Sequence, residues 1–320
     1  MIRIGYACIN LELKAHDIYS TRTITLKQME KRPDDVKKLA LMNIDDLEKI
    51  IIRNEELGIR FFRITSNLFP HLENPRVLSG HEYNIDFARD ALARVGKRAR
   101  EYGHRLTMHP GQYAQLGSPR EEVVTQTFKD LRAHADILTA MGMTPELGSV
   151  LIIHGGGTFG DKVETLRRFK ENFLKMPKYV RDFVALENDE WSYSAMDLLP
   201  LCEELKIPLC PDFFHHRIGH ADQFNIYDDK IIARIMNTWK LRGIRPKCHL
   251  SDQKPNERKG AHADCVDEIP SELLRVALEH NVDIMLEAKH KDKCALEMYN
   301  KYFTRIDNRG RIEWYLRDRH

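Results

Sequence analysis

Nothing in the 320-residue sequence approaches the ~18 consecutive apolar residues that would cross a bilayer. The first ten residues, MIRIGYACIN, lack a basic segment followed by a long apolar one. They read as a strand and not as a signal peptide. The six cysteines (Cys8, Cys202, Cys210, Cys248, Cys265, Cys294) form no C-x-x-C pair. Cys8, Cys210 and Cys248 fall inside apolar runs, so reduced, buried thiols in an intracellular, cytoplasmic protein are expected. No G-x-G-x-x-G follows the first apolar run, which counts against a dinucleotide fold, and no G-K-[ST] follows Gly155-Gly156-Gly157, which counts against a P-loop. Neither sign of charge is in excess: 50 Lys and Arg face 48 Asp and Glu. Such a balance neither demands nor excludes a nucleic-acid partner. Linkers, repeats and low-complexity tracts are also missing, so residues 1–320 are expected to form one domain, with no membrane segment.

What is present is a globular composition, 42% hydrophobic and 31% charged. Short apolar runs recur eight times, at 2–8, 59–65, 104–109, 149–154, 183–188, 207–212, 246–251 and 282–287. Each is rich in Val, Ile, Leu or Phe and bounded by Gly, Pro, Asn or charge, as strands buried on both faces are. Stretches with apolar residues at spacings of three and four separate them: 39–57, 87–102, 123–141, 162–174, 195–205, 230–239, 271–280 and 292–303. Asn43-Ile-Asp-Asp and Ser118-Pro-Arg-Glu-Glu read as helix starts. Strand–helix alternation implies parallel pairing with right-handed crossovers, and eight units in this length predict a (β/α)₈ TIM barrel. The longest non-helical insertion is expected at about residues 10–38.

In such barrels functional side chains project from the C-terminal ends of the strands. The polar residues at those positions are His109, His154, Glu187, Asp212 with His215, Lys247 and His249 on one face, His262 in the following loop, and Glu287. One polar residue at a strand end is usually a cap. Six consecutive units delivering such groups to one rim is a different matter, because buried acids and lysines need partners or metals. Imidazoles and carboxylates without thiolates suit Zn²⁺ or Mn²⁺, and about eight candidates are too many for a single ion. Two or three ions fit metal-assisted phosphoryl-transfer hydrolysis. Lys254, Arg258 and Lys259 form a basic loop that suits either a solvated face or phosphate contact. The glycine triplet reads as tight backbone beside the metals, with N–H groups available to a phosphate.

The motifs GYACIN, SNLFP, MHPGQY, IIHGGG, LENDE, PDFFHH, KCHLSDQ and MLEAK resemble those of the UV damage endonucleases, which are related to the endonuclease IV barrels. The resemblance runs from Gly5 to about Lys289. It implies an ATP-independent DNA repair endonuclease that nicks immediately 5′ to UV photoproducts, cyclobutane pyrimidine dimers and 6-4 photoproducts, leaving 3′-hydroxyl and 5′-phosphate ends. It implies two or three divalent ions, Mn²⁺ first, with Zn²⁺, Co²⁺ or Mg²⁺ as alternatives. Their ligands would be His109, His154, Glu187, Asp212, His215, His249, His262 and Glu287. Glu187 would bridge ions, Lys247 would be carboxylated, and Glu187, Lys247, His249 and His262 would carry the catalysis. Gln112 and Tyr113, turned onto the rim by Pro110-Gly111, would wedge into duplex DNA, and Tyr6 and Asn10 would line the pocket for the flipped lesion. Without the resemblance Tyr6 reads as a core aromatic and Tyr113 as an exposed loop tyrosine. The expected partner is double-stranded DNA carrying UV lesions, met by a monomer. Three other readings remain: an apurinic-site endonuclease of the endonuclease IV type, a divalent-metal sugar isomerase on the same barrel, and a non-enzymatic DNA-binding protein with structural metals.

Overall fold

A computed structural model describes residues 2–317. All eight expected strands are present: β1 (Ile4–Ala7), β2 (Phe61–Ile64), β3 (Arg105–Met108), β4 (Leu151–His154), β5 (Val184–Glu187), β6 (Leu209–Cys210), β7 (Lys247–Leu250) and β8 (Asp283–Leu286). They pair in parallel in the order β6-β5-β4-β3-β2-β1-β8-β7. A parallel bridge between Asp212 and His249 joins the two ends of that row and closes the barrel. The fold is the (β/α)₈ TIM barrel that the alternation predicts.

Strand parity sorts the side chains, because successive residues face opposite sides. Ile4 and Tyr6 of β1 join the large cluster formed with the surrounding helices. Ala7, Phe61 and Met285 form a small separate cluster inside the barrel. Gly5 shares the inward parity of Ala7. A Cβ at Gly5 would stand 2.5 Å from the Phe61 carbonyl oxygen and 2.7 Å from its ring. Glycine is what lets Phe61 fill the lumen.

The helices confirm the predicted pattern with shifts at their ends. The first long one runs over Pro33–Leu57 and not 39–57, with Pro33 in its first turn and Gly58 in the left-handed conformation at its end. Asn43 is therefore not a helix start. It is buried inside that helix, where its side chain donates to the Arg22 and Leu68 carbonyls and accepts from the Arg22 amide. The segment 10–38 is corrected accordingly: it holds helices Leu11–Lys14 and Leu26–Lys31 and the first turn of the long one. Asn43 and Asp46 anchor it, the latter through an ion pair with Arg22.

Two features were not foreseen. The chain ends in an antiparallel hairpin, β9 (Phe303–Asn308) and β10 (Arg311–Leu316). Its Trp314 stacks on Tyr299 and donates its indole N–H to the Leu57 carbonyl. The expectation that all six cysteines are free thiols is also corrected, since Cys265 and Cys294 form a disulfide. They lie on the loop after β7 and on the helix Lys291–Tyr302, 29 residues apart. Their proximity is a product of the fold, invisible in the spacing. Cys202, Cys210 and Cys248 are buried free thiols. Among the described residues no helix is long and apolar enough to cross a membrane.

Candidate active site

The polar residues at the strand ends converge. Glu187, the last residue of β5, is fully buried and sits at the centre. Its carboxylate lies 2.9 Å from His109 Nε2, 2.7 Å from His249 Nδ1, and 3.8 Å from both His154 Nε2 and His215 Nδ1. Asp212 and Glu287 flank it, their carboxylate oxygens 4.0 and 3.4 Å from His249 Nδ1. His262 completes the bowl, with Nδ1 3.9 Å from Glu287. All eight expected ligands are thus brought to one place.

Local structure fixes each of them. His109 Nδ1 lies 3.0 Å from the Pro110 carbonyl oxygen, so it carries the proton and leaves Nε2 to face Glu187. Asp212 caps the short helix Phe213–Gly219 by accepting from the His215 amide, which sets Asp212 and His215 side by side. Asn188 locks Asp212 from the other side, donating to its carbonyl and accepting from its amide. His262 returns on a loop closed by a bridge between Gln253 and His262. The Gln253 side chain braces that loop, accepting from the Gly260 amide and donating to the Arg258 carbonyl.

The electrostatics are those of a site built for cations. Three buried carboxylates, Glu187, Asp212 and Glu287, cannot all ionise together in a low-dielectric pocket without compensation. Burial, reinforced by Glu187 and Glu287, pushes Asp212 up to about 7. Its Oδ2 is buried without a hydrogen-bond partner among the described residues. Burial opposes ionisation of Glu187 too, but His249, His154 and His109 outweigh it and hold the carboxyl well below its usual range. His215 is raised to about 10, since Asp212 and Glu187 overcome its burial. Burial lowers His154, His249 and His262, with His249 near 4, so these imidazoles are neutral at pH 7. Neutral imidazoles and anionic carboxylates are the ligand states that a divalent ion requires. Ligand atoms gather within 4.8 Å of one another in three overlapping sets: His109, Glu187, His249; Glu187, Asp212, His215; and Asp212, His249, Glu287. These residues could bind metal ions, and the Glu187 and Asp212 carboxylates each belong to two of the three sets.

Lys247 lies deeper, fully buried, with Nζ 2.8 Å from His249 Nε2 and above the Phe61 ring. Burial lowers it to about 8. Its ammonium donates to His249, whose Nδ1–H in turn donates to Glu187.

The structure also places residues the strand-end reading passed over. Arg63, in the middle of β2, makes a close ion pair with Glu287 and holds that carboxyl low against its burial. The signal was a charge inside an apolar run, at the same parity as the lumen-facing Phe61. Trp191 stands four residues beyond Glu187, 66% exposed, with the Lys259 ammonium 4.8 Å from its ring centroid. Asp189 pins its loop by accepting from the Trp191 amide. Lys259 belongs to the basic loop noted in the sequence, whose Lys254 pairs with Asp264.

Gln112 and Tyr113 occupy the corners of a turn closed by the Ala114 amide on the Gly111 carbonyl, and Tyr113 is 81% exposed. Gly111 does not use the left-handed region, so the turn does not depend on that freedom. Gly156 does, and a Cβ at Gly155 would strike the Tyr193 ring at 2.7 Å. Tight packing therefore accounts for Gly155, and the left-handed backbone for Gly156. Tyr6 and Asn10, the residues expected to line a lesion pocket, lie below the surface. Both are completely buried. Tyr6 faces the helix layer, its hydroxyl donating to Asn54 and accepting from Asn10, while Asn10 caps helix Leu11–Lys14. As placed, neither offers any surface to a nucleic acid.

Comparison with known proteins agrees with this geometry. A family model described as UV-endonuclease UvdE matches residues 2–314. A protein of Acanthamoeba polyphaga mimivirus is 48% identical, the match covering 97% of this chain and 95% of that one. The UV-damage endonuclease of Schizosaccharomyces pombe is 38% identical over 94% of this chain and 50% of its own length, so this chain spans about half of that relative. The crystal structure of SacUVDE superposes with a TM-score of 0.80 at 33% identity, covering 93% of this chain and 96% of that one.

Proposed function

The chain belongs to the UV-endonuclease UvdE family, and on that premise we propose that it nicks double-stranded DNA immediately 5′ to UV photoproducts. Cyclobutane pyrimidine dimers and 6-4 photoproducts are the substrates, and the ends left are 3′-hydroxyl and 5′-phosphate. The observation that carries this reading is the buried carboxylate of Glu187 within 4 Å of four imidazoles. That arrangement is costly unless cations occupy it.

His109, His154, Glu187, Asp212, His215, His249, His262 and Glu287 would hold two or three divalent ions, manganese by preference. When bound, such ions supply positive charge against a phosphodiester and acidify water near neutral pH. The protein's part is positioning. Pro110 fixes the tautomer of His109, Asn188 holds Asp212, and Arg63 holds Glu287. Water adds to phosphorus, the bond to the 3′ oxygen breaks, and the water's proton passes to that departing oxygen. His262, neutral at pH 7 and the most exposed imidazole of the set, is assigned to carry it.

Lys247 is assigned as a carbamate. Its lowered pKa leaves a fraction of neutral amine at pH 7, which adds carbon dioxide and loses a proton, replacing a buried cation with an anion beside His249. Gln112 and Tyr113 are assigned as the wedge. Separating stacked bases costs a few kcal/mol, less at a damaged step, and an inserted ring restores part of that stacking. The enzyme is proposed to act as a monomer, inside the cell, without ATP.

Incubating the manganese-loaded protein with a duplex carrying one defined thymine dimer tests the reading. A single cut at the bond 5′ to the dimer is expected. Cleavage of an abasic duplex with the dimer duplex left intact would replace this function with that of an apurinic-site endonuclease.

A further inference from the structure

At the opposite end of the barrel the N-terminal ends of the strands surround a second cavity, of about 280 Å³. Four arginines line it: Arg3 just before β1, Arg60 just before β2, Arg245 two residues before β7, and Arg311 at the start of β10. Tyr299 and Trp314 form its aromatic wall. About four residues of strand, roughly 13 Å, separate it from the carboxylate and imidazole bowl.

Among the described residues the charges here do not balance locally. Glu55 is shared between Arg60, which it meets at 2.7 Å, and Arg311 at 3.3 Å. Asp283 is shared between Arg245 at 2.8 Å and the buried Arg105 at 2.9 Å. Arg3 makes no side-chain ion pair among the described residues, and only its backbone amide reaches Asp283. Among the described residues, five guanidiniums therefore lean on two carboxylates. His104, beside Glu55, adds no charge at pH 7, because burial, with Arg60 and Arg3, lowers it. Arg105 keeps its Nη2 buried without a hydrogen-bond partner among the described residues. Guanidiniums crowded at the wall of a concave, partly desolvated cavity attract oxyanions strongly, and their planar N–H forks match tetrahedral phosphate oxygens.

We propose that this cavity is a binding site for a small phosphate dianion, held by Arg3, Arg60, Arg245 and Arg311 and distinct from the metal-type bowl. Because Arg311 and Trp314 come from the terminal hairpin while the other arginines belong to the barrel, the bound anion ties hairpin to barrel floor. The ligand chemistry is that of inorganic phosphate or of the terminal phosphate of a nucleotide, and 280 Å³ suits something small and not a duplex.

The test is thermal unfolding of the full-length, metal-loaded protein, freed of unbound metal, at constant ionic strength. Chloride is replaced stepwise by inorganic phosphate in one arm and by thymidine 5′-monophosphate in the other. A saturable rise in melting temperature of roughly 2–5 °C is expected in the phosphate arm. A rise with the nucleotide alone would assign the same site to a phosphomonoester. Arg3→Ala should abolish the rise while nicking activity stays intact. Arg311→Ala, at a more exposed position, gives the same readout should Arg3→Ala fail to fold. No rise in either arm overturns the proposal. So does a rise that survives both substitutions, since phosphate would then be binding elsewhere, as at the metals.

Discussion

His249 and Lys247 face the same side of β7, and the lysine Nζ lies 2.8 Å from His249 Nε2. A buried ammonium beneath a cation-binding imidazole is electrostatically wrong, and burial already lowers that lysine to about 8. Nicking activity is therefore expected to rise with added bicarbonate after the protein has been depleted of carbon dioxide. A ¹³C carbamate resonance should appear with labelled bicarbonate and be lost in Lys247→Arg. Activity indifferent to bicarbonate, with no such resonance, would leave Lys247 as a plain donor to His249.

Glu187 touches more of the site than any other residue. Glu187→Ala is expected to lose bound metal and cleavage together, by at least about 100-fold in each. Elemental analysis and a nicking assay on the same preparation check this. Full nicking by the variant would be incompatible with its proposed role.

The pH dependence of metal affinity follows from Asp212 and His215, which titrate as a pair. Asp212, pushed to about 7, is protonated below that pH, and His215, raised to about 10, is protonated across the neutral range. Manganese must displace these protons. Affinity should therefore climb with pH, about tenfold per unit above pH 7, where one proton leaves, and more steeply below it, where two do. Calorimetric titration at pH 6, 7 and 8 measures the slope, and a flat profile would contradict the ligand assignment.

Tyr113 is exposed and touches none of the ligand residues, so its removal should separate binding from chemistry. For Tyr113→Ala, metal content is expected to be unchanged and binding to dimer-containing duplex about 5- to 100-fold weaker, the worth of one stacked ring. Equal affinity in a gel-shift titration would remove it from the wedge.

Trp191 provides a built-in reporter. Trp239 and Trp314 are buried, so quenching by acrylamide reads Trp191. Its place on the rim beside Lys259 leads us to expect protection from the quencher when dimer-containing duplex binds. Unchanged quenching at saturating DNA would place Trp191 outside the contact surface.

The sequence made the barrel legible because strands buried on both faces leave unbroken apolar runs, and it made the candidate ligands legible because six consecutive units each deliver a misplaced polar residue to one rim. What it hid was whatever depends on parity or on distant neighbours. The resemblance implies a lesion-pocket role for Tyr6, yet alternation with the lumen-facing Gly5 and Ala7 sends it outward into the helix layer, as a core aromatic. Arg63 lay concealed inside an apolar run, where only its shared face with Phe61 betrays a lumen role. The terminal hairpin escaped notice because its strands are largely exposed and charged, without the buried run that marked the others. Cys265 and Cys294 meet only after the loop beyond β7 folds back.

That hairpin governs how the molecule could be joined to something else. The chain enters at β1 from the floor of the barrel. It leaves from β10 on that same floor, where the Arg317 amide bonds the Tyr302 carbonyl. A tether or fused module at either end would hang from the far pole and leave the mouth that holds the carboxylates and imidazoles unobstructed.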